Sequence, residues 1–278
     1  MLVSIIIPAC QAQGTIGAAL RSVIAQTHRS WEAIVVSDDG CDYLACLAAQ
    51  GIRDPRLRTT STGGVRTGCH RARNAGFKLA RGDFTTQLDA DDEWTPDRLA
   101  QLLPVAAEHG AAADNLVLRD AETGAMFYRA LSEIEAPVFL DAAAIVRLTA
   151  PLVPLIRRDH VLARAEGVEL AEDVIANLQL VARIGRLPVL PRSSYIYNIR
   201  SSSICNMPGA EGRFDCAYAA CMQRLDKGDG FGLPQEVRRL AHGAFAERSA
   251  LNRAFALAVA ADFRGSFQHF AMARRSSP

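Results

Sequence analysis

The stretch Val3-Ser4-Ile5-Ile6-Ile7-Pro8 is β-branched almost throughout and shows no polar alternation. A run of this kind belongs to a strand covered on both faces. Downstream, Ile16, Ala19, Leu20, Val23 and Ile24 recur at helical spacing, with Thr15 placed to cap the start. Residues 33–36 repeat the buried-strand pattern, 44–50 read as a short helix, and 57–60 as a third strand. Residues 72–80 are helical, ending at Gly82, and 84–88 make a further strand. Strand and helix therefore alternate with short connections, which predicts an α/β fold: a Rossmann-like, mostly parallel sheet with helices on both faces.

Past residue 113 the alternation decays. Residues 116–118 and 126–128 suit a short hairpin, 153–156 another strand, and 170–184 a helix with Val174, Leu178 and Val181 on one face. Residues 187–197 read as extended. From Arg213 onward the pattern is helical, broken by the glycine-rich stretch 228–234. These C-terminal helices have three destinations open to them: the core, a second subunit, or a membrane surface.

Composition removes several function classes. The 278 residues are 49% hydrophobic and 22% charged, a globular mixture able to bury a core. Lys plus Arg number 31 against 30 acids, a net charge of +1, so no basic field draws the chain to nucleic acid. The apolar run 254–261 is far short of a membrane span. Leu2 to Ile7 has no charged region before it and is cut off by Pro8, which argues against a signal peptide. The seven cysteines form no Cys-x-x-Cys pair and suit free thiols in the cytosol.

Chemistry concentrates at strand ends. Asp38-Asp39-Gly40 follows the strand at 33–36, and Asp89-Ala90-Asp91-Asp92 follows the strand at 84–88. Ligands of open α/β sheets sit outside the carboxyl ends of the strands, so the two acidic clusters suggest one site. Alternate carboxylates just past a strand can converge on a hard cation, Mn²⁺ or Mg²⁺, whose shell is completed by water and substrate phosphate. The competing interpretation is a solvated acidic turn before the helix near Pro96. Arg66, Arg71 and Arg73 flank the helix opened by residues 68–76, where cations and a helix N-terminus can meet a diphosphate, or where arginines can simply face water. Glu172-Asp173 opens the helix at 170–184, either complementing its dipole or supplying a general base beside an acceptor hydroxyl. No GxxxxGK[ST] loop, no GxGxxG after the first strand, no HExxH and no GxSxG elbow is present.

The order of these motifs carries more than any one of them. Ser4-Ile5-Ile6-Ile7-Pro8, Leu20 to Thr27, Val35 to Gly40, Ala72-Arg73-Asn74-Ala75-Gly76, Ala80-Arg81-Gly82-Asp83, Leu88 to Asp92 and Pro96-Asp97-Arg98-Leu99 together resemble the opening of the family 2 GT-A glycosyltransferases. Glu172-Asp173 looks like the family's acceptor-side acidic pair. The resemblance implies a GT-A fold with a nucleotide-sugar-binding half over residues 1–112, an acceptor-binding half over 113–205 and a helical C-terminal extension over 206–278. It implies an inverting transferase, dependent on Mn²⁺ or Mg²⁺, that moves a sugar from a nucleoside-diphosphate sugar to an acceptor hydroxyl. A UDP-sugar is the favoured donor and a glycan or lipid-linked acceptor its partner, in surface polysaccharide or glycoconjugate synthesis. The implied location is the cytoplasm, with peripheral contact at the inner face of the membrane and self-association through the C-terminal helices as further expectations.

Carried over residue by residue, Pro8 and Asp39 line the base pocket with Asp38 beside them, Asp89 and Ala90 face the ribose and donor, and Asp91, with Asp89, takes the metal. Asp173 is the base, expected to be ionised with a low pKa in its first-turn position. Arg200 and Arg73 meet the diphosphate. The sequence also departs from the family. Cys10-Gln11 stands where an aromatic-Asn pair is usual, Cys41 replaces a Ser, and in Tyr197 to Ser203 Arg200 takes a customary His position. A guanidinium can hold phosphate but cannot ligate a metal. The only tryptophans, Trp31 and Trp94, precede the acceptor region, so the Gln-x-x-Arg-Trp motif of processive synthases is absent. The altered Cys10, Gln11 and Cys41 raise one alternative, a catalytically impaired nucleotide-sugar-binding protein of the same fold; Asp89, Asp91 and Asp173 oppose it.

Overall fold

The computed structural model describes residues 1–275 apart from 132–133, 149, 151, 169, 201–209, 264 and 266. Ser201 to Ser203 and Cys205, part of the motif and cysteine readings, lie outside the described residues.

The continuous apolar runs form the expected parallel core. β1 (Val3–Ala9), β2 (Trp31–Ser37), β3 (Leu57–Ser61) and β4 (Phe84–Gln87) lie parallel in the spatial order β3-β2-β1-β4. Successive side chains of a strand leave opposite faces, and the core splits accordingly. Val3, Ile5, Ile7, Ala33 and Val35 pack with Ile16, Ala19, Leu20 and Val23 of α1 (Ile16–Ile24) and with Tyr43 and Leu47 of α2 (Tyr43–Ala49). Ile6, Ile34 and Val36 face the other way, onto Ala72 of α3 (Cys69–Leu79). Gly76 sets how closely α3 sits, because a Cβ there would lie 2.4 Å from Ile6 Cγ2.

The second half joins the same sheet rather than building another. After β5 (Glu93–Trp94) and α4 (Arg98–His109) come β6 (Ala111–Asp120), β7 (Met126–Arg129), β8 (Val138–Leu140), α5 (Ala142–Ile145), β9 (Leu155–Arg157), α6 (Glu172–Ile184) and β10 (Leu187–Ile199). The sheet continues β4-β9-β6-β10-β5, with β9 antiparallel to both β4 and β6, and β6 parallel to β10. A buried ion pair fixes this half: Arg98, fully buried, holds Asp114 at 2.8 Å between the rings of Trp94 and Tyr195. α7 (Ala210–Lys227), α8 (Gln235–Ala260) and α9 (Phe267–Arg275) complete the chain, and α8 packs on α7, α5 and α6. Of the three destinations open to the C-terminal helices, packing on the core is therefore realised.

The structure revises several local expectations. Thr15 precedes α1, but its hydroxyl donates to Ala12 O (3.3 Å) and caps nothing. α3 starts at Cys69, three residues before the apolar pattern begins, because Gly68 (φ +107) turns the chain into it. The expected hairpin exists as β6–β7, but β6 runs to ten residues. In α6 the buried apolar stripe is Ile175, Leu178, Leu180 and Val181, with Val174 only half-buried.

Candidate active site

The acidic turns gather at the carboxyl edge of the parallel strands, each anchored differently. Asp38, 4% exposed, accepts hydrogen bonds from Thr62 Oγ1 and Thr67 Oγ1 (both 2.6 Å) and from Gly68 N (3.0 Å). Against the upward push of burial, these donors hold its carboxyl below the ordinary range. It thus ties the end of β2 to the start of α3. Asp39 binds the loop after β1: Gln11 N (2.6 Å), Cys41 N (3.0 Å), Ser37 Oγ (3.1 Å) and Tyr43 Oη (2.9 Å) all donate to it. Gln11 (φ +54) and Arg66 (φ +53), whose backbone N–H groups donate to Asp39 and to Asp38 O, adopt left-handed backbone, a conformation unfavourable for side chains of this size and common at ligand sites. Pro8 lies half-buried at the end of β1 beside Val36.

After β4 the turn 89–92 sorts its three carboxylates. Asp92 points inward, 2% exposed, accepting from Tyr195 Oη and Asn198 N (both 2.8 Å); burial and the charges of Asp91 and Asp89 push it far up. Ala90 is buried. Asp89 and Asp91 remain accessible, their side chains 34% and 41% exposed. Asp91 is raised by burial and by Asp89, against the pull of Arg200. Arg200 Nη1 donates to Asp91 O at 2.9 Å and lies 3.4 Å from Asp91 Oδ2, so β10 delivers a guanidinium to the acidic turn.

Arg73 sits behind that turn. Its guanidinium spans Asp89 Oδ1 (2.7 Å) and Glu172 Oε1, bonding both. Glu172, 3% exposed, also lies 3.4 Å from Arg164 Nε, and these cations hold it low despite its burial. Asp173 follows at the first turn of α6, half-buried, its Oδ1 accepting from Val174 N (2.7 Å). The low pKa expected from the helix dipole is not found. Burial, then the charge of Glu172, pushes Asp173 upward, against the hydrogen bond from Val174 N and the charges of Arg248 and Arg73.

A family model described as Glycosyl transferase family 2 matches residues 4–151, more than half of the chain and all of the acidic strand ends. The chain belongs to this family. A succinoglycan biosynthesis protein, ExoO of Rhizobium meliloti, is 34% identical over 73% of this chain and 62% of its own length. WfgD of Escherichia coli, named a UDP-Glc:alpha-D-GlcNAc-diphosphoundecaprenol beta-1,3-glucosyltransferase, is 38% identical over 35% of this chain and 38% of its own. The chain thus spans about two fifths to three fifths of these relatives. Residues 1–349 of Staphylococcus aureus TarS with UDP-GlcNAc superpose with a TM-score of 0.66 at 19% identity, covering 89% of this chain and 72% of that one. The fold is therefore the GT-A architecture that the motifs implied.

Within this family 2 chain, Asp89 and Asp91 make a lean donor set. Among the described residues no group of three His, Cys, Asp or Glu side chains converges on a point. Mg²⁺ and Mn²⁺ need no such cage, since one or two carboxylates with substrate phosphates and water suffice. Two accessible carboxylates at the end of one strand fit such an ion. Sequence reasoning missed Tyr43, which bonds Asp39 four residues before it, and Tyr195, Asn198 and Arg164, whose hydrogen-bond partners Asp92 and Gln87 lie 77 to 106 residues away. Only Asn198 carried a signal, standing two residues before Arg200.

Proposed function

We propose that this chain is a metal-dependent, inverting glycosyltransferase that moves one sugar from a UDP-sugar to an acceptor hydroxyl on a glycan or lipid carrier, in surface polysaccharide or glycoconjugate synthesis. The observation that carries it is the division of acids: Asp89 and Asp91 accessible at the end of β4, and Asp173 on α6, joined through the Arg73–Glu172 bridge. Inverting transfer needs this division, a cationic seat for the leaving diphosphate and a separate base for the acceptor proton. The nucleotide lies in the pocket edged by Pro8, Asp38 and Asp39. Asp91 and Asp89 would hold Mn²⁺ or Mg²⁺, which supplies positive charge to the diphosphate. Arg200 adds a fixed donor to the charge that develops there. Asp173 takes the proton of the attacking hydroxyl, and its raised affinity for a proton suits that task better than an ordinary carboxylate would. The names of ExoO and WfgD, in polysaccharide synthesis and in transfer to a lipid diphosphate, support the acceptor class.

The test is calorimetric titration of UDP, GDP and dTDP with and without Mn²⁺, followed by NMR of the product anomer. UDP and metal should bind with positive, reciprocal coupling that vanishes in Asp91→Asn. Equal UDP affinity with and without metal removes the metal from the reading, and a product that retains the donor's configuration removes the single displacement.

A further inference from the structure

Arg73 and Asn74 are adjacent on α3, beside the parallel strands, yet Asn74 reaches across to the segment that precedes α6 and Arg73 to the first residue of α6. Asn74 clamps the backbone of Arg164 from both sides: its Oδ1 accepts from Arg164 N at 2.7 Å and its Nδ2 donates to Arg164 O at 3.1 Å. Arg164 in turn donates to Gln87 Oε1 on β4 at 3.0 Å. Arg73 makes the second connection, one arm of its guanidinium on Asp89 and the other on Glu172. The side chains of Arg73, Arg164 and Glu172 are 9%, 6% and 3% exposed. A planar fork can satisfy two carboxylates in fixed directions, which an ammonium cannot.

We propose that Arg73 and Glu172 are positioning residues: their bridge sets the first turn of α6, and with it Asp173, at a fixed place relative to the acidic end of β4. The inference rests on Asp173 being the base. The backbone clamp at Asn74 fixes where the segment enters, and the Arg73–Glu172 bond fixes the turn that follows. Glu172 touches no reacting group in this arrangement and acts through its neighbour. Misplacing a reacting group by about 1 Å can cost on the order of 10² in rate.

A buried carboxylate between two buried arginines also balances charge, so loss of Glu172 has a structural consequence that must be separated from a positional one. The experiment compares Glu172→Gln with the double variant Glu172→Gln/Arg164→Gln, which removes one of the two cations left uncompensated. UDP affinity with Mn²⁺, Tm, and kcat and KM for transfer per UDP-binding site are measured, with Asp173→Asn in parallel. Other titratable groups interact with Asp173: the cations Arg73 of α3, Arg164 and Arg248 of α8, and the neutral thiols Cys69 of α3 and Cys221 of α7. The pH profile is therefore recorded for every variant. Expected are UDP affinity within about 3-fold of the parent, donor KM little changed, and kcat lower by about 10–10²-fold. The double variant should recover Tm without recovering kcat, and the acid limb of Glu172→Gln should move to lower pH. Arg73→Lys, which keeps the charge but not the fork, should repeat the kcat loss and covers the case in which the Glu172 variants do not fold. Recovery of kcat together with Tm, or full kcat in Arg73→Lys, overturns the positioning role. If Asp173→Asn itself transfers normally, the base assignment has failed instead.

Discussion

As the proposed base, Asp173 would act only as the anion, and its surroundings decide the pH at which that form exists. Because burial and Glu172 raise its pKa, the acid limb of transfer should lie above the ordinary carboxylate range, and initial rates against pH will locate it. The folded protein holds this proton more tightly than the unfolded chain does. Stability attributable to the carboxyl is therefore present at low pH and is lost as pH rises through the raised folded pKa. Asp173→Asn cannot ionise, so it should raise Tm at neutral pH while cutting transfer by about 10²–10⁴. Calorimetry and rates on one preparation test both, and a lowered Tm would contradict burial as the origin of the shift. For Arg200, the bond to Asp91 O and the nearby carboxylate put a fixed cation beside the acidic turn, where the proposed reading seats the diphosphate. Arg200→Ala should lower kcat by about 10²–10³, the usual cost of removing a donor to developing negative charge. An unchanged kcat would mean that Arg200 only braces the turn.

At the scale of elements, the carboxyl edge of the parallel strands depends on loops held by the carboxylates Asp38 and Asp39. Asp38 joins β2 to α3 through three donors; a hydrogen bond to a charged group contributes about 1.5–3 kcal/mol net, and three that share one carboxylate do not add in full. Asp38→Ala should then cost about 2–4 kcal/mol in denaturant titrations and weaken UDP binding with it; full stability would show that the threonines find other acceptors. The strands β1 to β4 and the acidic turns beyond them were legible in the sequence, since an unbroken apolar run in a parallel sheet says where a strand ends, and the carboxyl end is where ligands gather. β9 was legible as a strand but not in its direction. Three residues, Leu155 to Arg157, carry no sign of being inserted antiparallel between β4 and β6. The Arg73–Glu172 bridge was hidden for a different reason: its partners stand 99 residues apart, and each looks like an ordinary helix-surface charge. The pKa of Asp173 went unread because position in a helix is visible in a sequence and burial is not.

At the scale of the molecule, the C-terminal helices are part of one folded unit. Phe245 of α8 is fully buried and stacks on Tyr218 of α7 with ring centroids 5.7 Å apart, while α8 also touches α5 and α6. Phe245→Ala should cost about 3–5 kcal/mol and still leave a single unfolding transition by near- and far-UV circular dichroism; two transitions would make the helices a separate unit. The described residues contain no helix long and apolar enough to cross a membrane. The long reach of β10 has a consequence for how the protein is made. Asp92 waits for hydroxyl and amide donors that lie 103 and 106 residues further along, on Tyr195 and Asn198. Ribosomes add about 5–20 residues per second, so roughly 5–20 s pass between the synthesis of the acidic turn and that of the groups that close it. Until then a nascent chain has Arg73 to pair with Asp89 but nothing to close over Asp92, so the sorting of the acidic turn is completed late in translation, well after β1 to β4 have been made.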